Sequence, residues 1–105
     1  LTPTETPLPL DDFWVSRNVY HPGYDDPSVY ARIRLSGEGI YSLKVYNSAG
    51  ELVKVLRDVR NQSGTYEDVH WDGKNKYNEP CASGVYIFYY TTRYQTRLAR
   101  LLLLR

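Results

Sequence analysis

The sequence predicts an all-β protein, an immunoglobulin-like antiparallel β-sandwich of about seven strands. Three observations carry this. Short runs of alternating apolar and polar residues recur along the chain, with the period of two that half-buried strands require. Turn formers (Gly, Pro, Asn, Asp and Ser) separate those runs at short intervals. Tyrosine is over-used, 11 residues against 2 Phe and 2 Trp, and a ring with a wet hydroxyl suits a half-buried pleated surface. Seven short strands with frequent turns point to a sandwich. The Cys…Trp…Cys signature of antibody domains is absent, because Cys81 is the only cysteine.

The elements follow in order. Residues 1–10, "LTPTETPLPL", hold Pro3, Pro7 and Pro9, which exclude helix and favour an extended polyproline segment or linker. The domain proper is expected over residues 11–105. "FWVSRNVY" (Phe13–Tyr20) is the first strand. His21-Pro22-Gly23 and Asp25-Asp26-Pro27 break the chain after it. "SVYARIRL" (Ser28–Leu35) alternates, with Val29, Ala31, Ile33 and Leu35 facing one way. "IYSLKVYN" (Ile40–Asn47) sets Tyr41, Leu43 and Val45 against Ser42, Lys44 and Tyr46. "NSAG" (Asn47–Gly50) makes a tight turn in which Gly50 is free to take a positive φ. "ELVKVLRDV" (Glu51–Val59) follows as a strand with Val53 and Val55 on one face. Helical spacing of Leu52, Val55, Leu56 and Val59 is the rival reading, against which stand the short turn and the β-branched residues. "TYEDVHW" (Thr65–Trp71), "GVYIFYYTT" (Gly84–Thr92) and "TRLARLLLL" (Thr96–Leu104) complete the set. Leu101 to Leu104 are apolar on both faces, so this last strand calls for cover on both sides or a central place in a sheet.

Composition bounds the function. One domain of 105 residues can bury a single core without disulfides or metals. A formal net charge of +1 offers no electrostatic argument for nucleic acid or an anionic membrane. No stretch is long and apolar enough to span a bilayer. The chain has no Met, so it reads as a processed product or an excised C-terminal piece. Arg93, Arg97, Arg100 and Arg105 could meet an acidic surface, although arginines on strands more commonly keep an edge soluble.

The stretch Val69–Tyr90, "VHWDGKNKYNEPCASGVYIFYY", gathers His70, Cys81 and several acids. Each residue there has a structural use. Trp71 ends a strand and can lay its ring across the open end of the core. Asp72-Gly73 is a turn pair in which Asp accepts backbone N–H bonds and Gly supplies the positive φ. Asn78 tolerates the left-handed region, Pro80 stiffens the loop, and Ser83-Gly84 launches the next strand towards Tyr86. A Cys/His pair would need the loop to fold His70 and Cys81 together, and an exposed strand histidine is the simpler reading. Asp68 and Asp72 match no calcium loop. No phosphate loop, dinucleotide fingerprint or nucleophile elbow is present. The expectation is no enzyme and no cofactor.

These same residues carry a resemblance. The order "YSLKVYNSAGELVKVL", "WDGKN", "SGVYIFYY" and a terminal apolar strand resembles the FlgD-type immunoglobulin-like domain of flagellar hook-capping proteins. It also resembles the related C-terminal sorting domains of secreted bacterial proteins, including the type IX secretion group. The likeness runs from about Asn18 to Arg105, and Trp71-Asp72-Gly73 with Ser83-Gly84-Val85-Tyr86 at this separation are its most specific pieces. His21-Pro22 stands where the family often has Asn-Pro, Asn78 where Gly is common, and Cys81 in a usually aliphatic slot. The end, "RLARLLLLR", lacks a Lys-rich finish. The resemblance implies a non-enzymatic extracellular or cell-surface module at the C-terminus of a larger protein. Such a module acts in assembly, sorting or attachment, with the parent protein or the secretion machinery as partner.

Two other readings stand beside it. A filament or sheath subunit would self-associate through its extended N-terminus, and its contact candidates are Leu8, Leu10, Phe13, Trp14 and Leu101, Leu102, Leu103, Leu104. A carbohydrate-binding module would stack polysaccharide on outward Trp14, Tyr30, Tyr46 and Tyr90, which could equally be cross-strand pairs.

Overall fold

The computed structural model describes residues 12–24, 28–34, 39–61, 66–93 and 95–105. Leu8, Leu10, Leu35 and the expected boundary between residues 10 and 11 lie outside them. Eight strands form two sheets packed face to face. In chain order they are β1 (Asp12–Val15), β2 (Val19–Tyr20), β3 (Val29–Arg34), β4 (Gly39–Asn47), β5 (Leu52–Asn61), β6 (Tyr66–Trp71), β7 (Gly84–Thr92) and β8 (Thr96–Leu103). One sheet has the order β1-β3-β6 and the other β2-β8-β7-β4-β5.

Alternation places the core. Val29, Ala31 and Ile33 of β3, Tyr41, Leu43 and Val45 of β4, and Tyr86, Phe88 and Tyr90 of β7 are all buried, as period-two strands with one wet face demand. Inward Phe13 stacks on inward Tyr90 with ring centroids 5.2 Å apart. At the middle of one side a polar latch joins the sheets. The Tyr41 hydroxyl donates to the Glu67 carboxylate, and Arg57 Nε donates to the same oxygen at 3.1 Å. Burial first, and then the Glu67 bond, push the Tyr41 phenol above its usual range, so it remains a donor.

The expected first strand proves to be two. Phe13 and Tyr20 are both buried, yet they lie an odd number of residues apart. One regular strand would point them to opposite faces. The chain instead changes sheets across Ser16–Asn18. Ser16 closes β1 by exchanging bonds with Tyr30, N–H to O at 2.8 Å and Oγ from N–H at 3.1 Å. Asn18 O then accepts from Leu102 N–H at 2.9 Å. β2 runs parallel to β8, so the sandwich is antiparallel except for this one pair.

β5 is a strand, as the short turn before it implied. Its pairing with β4 slips at Leu43/Lys44 and at Val45/Tyr46. The expectation that Val53 and Val55 share a face is therefore corrected: Val53 is buried and Val55 exposed, because a bulge reverses the side-chain phase. β8 lies inside its sheet between β2 and β7. Its double apolarity is divided, with Leu101 and Leu103 fully buried and Leu102 36% exposed.

Candidate functional site

The residues between β6 and β7 build one end of the sandwich. Trp71 is buried with its ring against Tyr86 and Phe88, at 5.4 and 5.8 Å, and its indole N–H donates to Lys74 O at 2.8 Å. Asp72 accepts from Lys74 N–H at 3.0 Å. Gly73 has φ +80°, and a Cβ there would stand 3.1 Å from the Arg105 guanidinium. The turn therefore excludes side chains by conformation and by space. Tyr86 closes the end by donating its hydroxyl to Ala82 O at 2.6 Å.

Arg105 ties the last strand to this end. Its guanidinium donates to Gly73 O at 2.9 Å and to Cys81 O, and its N–H donates to Ser83 Oγ at 2.8 Å. Gly73 O also accepts from Cys81 N–H at 2.9 Å. The residues of the sequence motif, Trp71, Asp72, Gly73, Ser83, Gly84 and Tyr86, are thus gathered around one clamp. The sequence reading did not single out Arg105 for this role.

A second feature was also missed. Asn47 Oδ1 accepts from Ala49 and Glu51 N–H, and Asn47 Nδ2 donates to Glu51 at 3.0 Å. Asn75 repeats this with Tyr77, Glu79 N–H and the Glu79 carboxylate. The fourth residue of each loop, Gly50 (φ +82°) or Asn78 (φ +64°), is left-handed. The shared pattern Asn-x-x-(Gly/Asn)-Glu was available in the sequence as the signal. An open groove of about 310 Å³ lies between the loops.

The chemistry at this end is quiet. His70 is exposed, with Nδ1 2.8 Å from Ser28 Oγ and its ring against Tyr30. Cys81 is buried and free. Burial pushes its thiol up, away from the thiolate a nucleophile needs. Among the described residues no group of three or more His, Cys, Asp or Glu could hold a metal ion. Among the described residues no helix is long and apolar enough to cross a membrane.

The candidate contact residues separate sharply. Phe13, Leu101 and Leu103 are core, committed to the fold. Trp14 is 44% exposed, and Leu102 and Leu104 reach solvent. Of the four aromatics imagined as one stacking platform, Tyr90 is buried. Tyr46 lies on the sheet opposite Trp14 and Tyr30, where it packs on Tyr89. They do not form one surface, because an inward position on β7 claims Tyr90 and sheet membership parts the others.

The two outer faces differ in kind. On the three-stranded sheet, Trp14, Arg32 and Asp68 form one cross-strand row. Arg32 grips Asp68 with two bonds at 2.7 and 2.9 Å and lies 5.5 Å over the Trp14 ring. In the next row Arg34 donates to Asp12 at 2.8 Å. The guanidinium bonds hold both carboxyls below their ordinary range, with Tyr66 assisting at Asp12. On the five-stranded sheet, Val19, Leu102 and Val85 form a row, then Arg100, Ile87, Tyr46 and Leu52, then Leu98, Tyr89, Lys44 and Val55. Among the described residues Lys44 and Arg100 have no ion-pair partner.

No protein-family model matches the chain, and no curated protein matches it. Solved structures share the fold. One is PorZ, an essential bacterial surface component of the type-IX secretion system of Porphyromonas gingivalis, with TM-score 0.58 and 24% identity over 89% of this chain. Another is dimeric latent PorU from the same bacterium, with TM-score 0.68 and 19% identity over 90% of this chain. The chain spans only 11% and 9% of those two proteins. At such identities the likeness is one of fold, and it does not single out the FlgD-type family.

Proposed function

We propose that this chain is a non-enzymatic, extracellular immunoglobulin-like module at the C-terminus of a secreted or cell-surface bacterial protein, serving protein–protein assembly, sorting or attachment. The observation that carries the reading is the near-complete overlap of this chain with a tenth-length part of a bacterial surface component of a secretion system. The FlgD-type and sorting-domain pattern in the sequence points the same way. So does the use of the described polar residues, which hold turns, a latch and a clamp.

The test is transfer. Residues 1–105 are fused to the C-terminus of a periplasmic reporter in a bacterium with a working type IX system. Reporter on the surface or in the medium, lost when the secretion system is disabled, is the expected result. Reporter that stays in the periplasm while the fused module resists protease as a folded unit overturns the sorting role. A module that neither exports nor retains partners on the cell surface overturns the proposal as a whole.

A further inference from the structure

The connection from β6 to β7 crosses between sheets, since β6 lies in the three-stranded sheet and β7 in the five-stranded one. No strand ladder therefore runs beneath it. Residues 73–81 form a small arm with an order of its own. Lys74 and Pro80 make an isolated antiparallel bridge. Asn75 and Glu79 close the tip, and Cys81 N–H donates to Gly73 O at 2.9 Å. These bonds are internal to the arm and do not fix it to the body.

The ties that do fix it are few. Trp71 and Tyr86 hold it from either side, through Lys74 O and Ala82 O. Among the described hydrogen bonds, two further ties come from elsewhere in the chain. Near the tip, Lys76 N–H donates to Val53 O at 3.0 Å. At the base stand the bonds of Arg105 to Gly73 O, Cys81 O and Ser83 Oγ. Arg105 is the one described donor to Cys81 O. Cys81 is only 8% exposed, and a sheltered carbonyl that loses its donor must find water or carry the cost of an unmade bond. Water reaches Cys81 O when the arm lifts.

We infer that Arg105 is a latch: while its guanidinium spans Gly73 O and Cys81 O the arm of residues 73–81 stays shut on Cys81, and withdrawing Arg105 opens the arm without unfolding the sandwich. The end of β8 is thereby coupled to the groove that Cys81 and Tyr86 line. The inference goes beyond the module reading and stands without it.

Cys81 is the only cysteine, so its thiol reports the latch. The full chain is treated with the chromogenic disulfide dithiodipyridine in the absence of denaturant, and backbone amide exchange is followed in parallel. Arg105→Ala is expected to raise the rate of thiol reaction at least tenfold, since a hydrogen bond from a charged group is worth roughly that factor or more. Arg105→Lys should fall between, because an ammonium lacks the planar fork that meets two carbonyls. Exchange of the Lys76 N–H should quicken in both variants, with the amides of Ala31 and Leu43 unchanged. Leu101→Ala supplies the comparison. It weakens the whole sandwich from a buried position, so it should quicken exchange at Ala31 and Leu43 as well. Unchanged thiol reactivity in Arg105→Ala overturns the inference, and so does failure of that variant to fold. Faster exchange spread evenly over β3, β4 and the arm, as in Leu101→Ala, overturns it too, because Arg105 is then a general stabilising contact.

Discussion

The two outer faces treat their cations in opposite ways. On the three-stranded sheet Arg32 and Arg34 are each met by a carboxylate one strand away, and an aromatic ring lies under each guanidinium, Trp14 under Arg32 and Tyr66 under Arg34. On the five-stranded sheet Lys44 has Val55 and Tyr89 opposite it and Arg100 has Ile87, and neither cation has an ion-pair partner among the described residues. Both faces are made by strands of the same period. The first pairs its charges across strands, while the second keeps Lys44 and Arg100 apart from any carboxylate partner among the described residues.

The largest expected effect separates apolar residues that support the fold from those that do not. Leu101 and Leu102 are neighbours on β8, one buried and one outward. Leu101→Ala should cost about 3 kcal/mol through lost burial and a cavity, whereas Leu102→Ala and Leu98→Ala should stay within about 0.5 kcal/mol. Urea denaturation of the three variants measures this. Equal losses would mean that the outer patch is a second core and not a free face.

Charge reversal gives the next contrast. Asp68→Lys sets like charges opposite each other on β3 and β6 and should cost about 1 kcal/mol, modest because the pair is well exposed to solvent. Arg100→Glu has no partner to lose and should change stability by less than about 0.5 kcal/mol. A double-mutant cycle of Arg32 with Asp68, beside one of Arg100 with Lys44, should show coupling in the first pair only.

Acid sharpens the same point with the smallest effect. Asp12 and Asp68 hold carboxyl groups depressed by their guanidinium partners. A depressed folded-state pKa contributes stability above the unfolded value, near 3.9, and loses it as pH falls through the folded value. The urea midpoint should therefore decline from about pH 5 downward. Asp12→Asn with Asp68→Asn should flatten that decline, and Lys44→Gln with Arg100→Gln should leave its slope alone.

Much of the fold was legible because strand period and turn chemistry are local. Val29, Ala31 and Ile33 turned inward as their alternation required. Gly50, Gly73 and Asn78 took the positive φ that their turns imposed. Trp71 closed the core end. What escaped was non-local. The change of sheets at Ser16–Asn18 left one local trace, the odd spacing of Phe13 and Tyr20, which acquires meaning only once both are known to be buried. The bulges in β5 depend on how β4 presents its ladder. Arg105 reads as one more surface arginine until β8 lies beside the Gly73 turn.

The sequence by itself determined a sandwich of short strands, the left-handed turns and the inward residues of β3, β4 and β7. These follow from steric limits on φ and from two-fold alternation, which act between near neighbours in the chain. Only the tertiary structure decided which apolar outward residues lie together. Val19, Val85, Leu98 and Leu102 come from three strands, and their rows exist only through the pairing of β2, β8 and β7. Register sets which side chains stand opposite, and so sets where charge is answered across strands and where it is not.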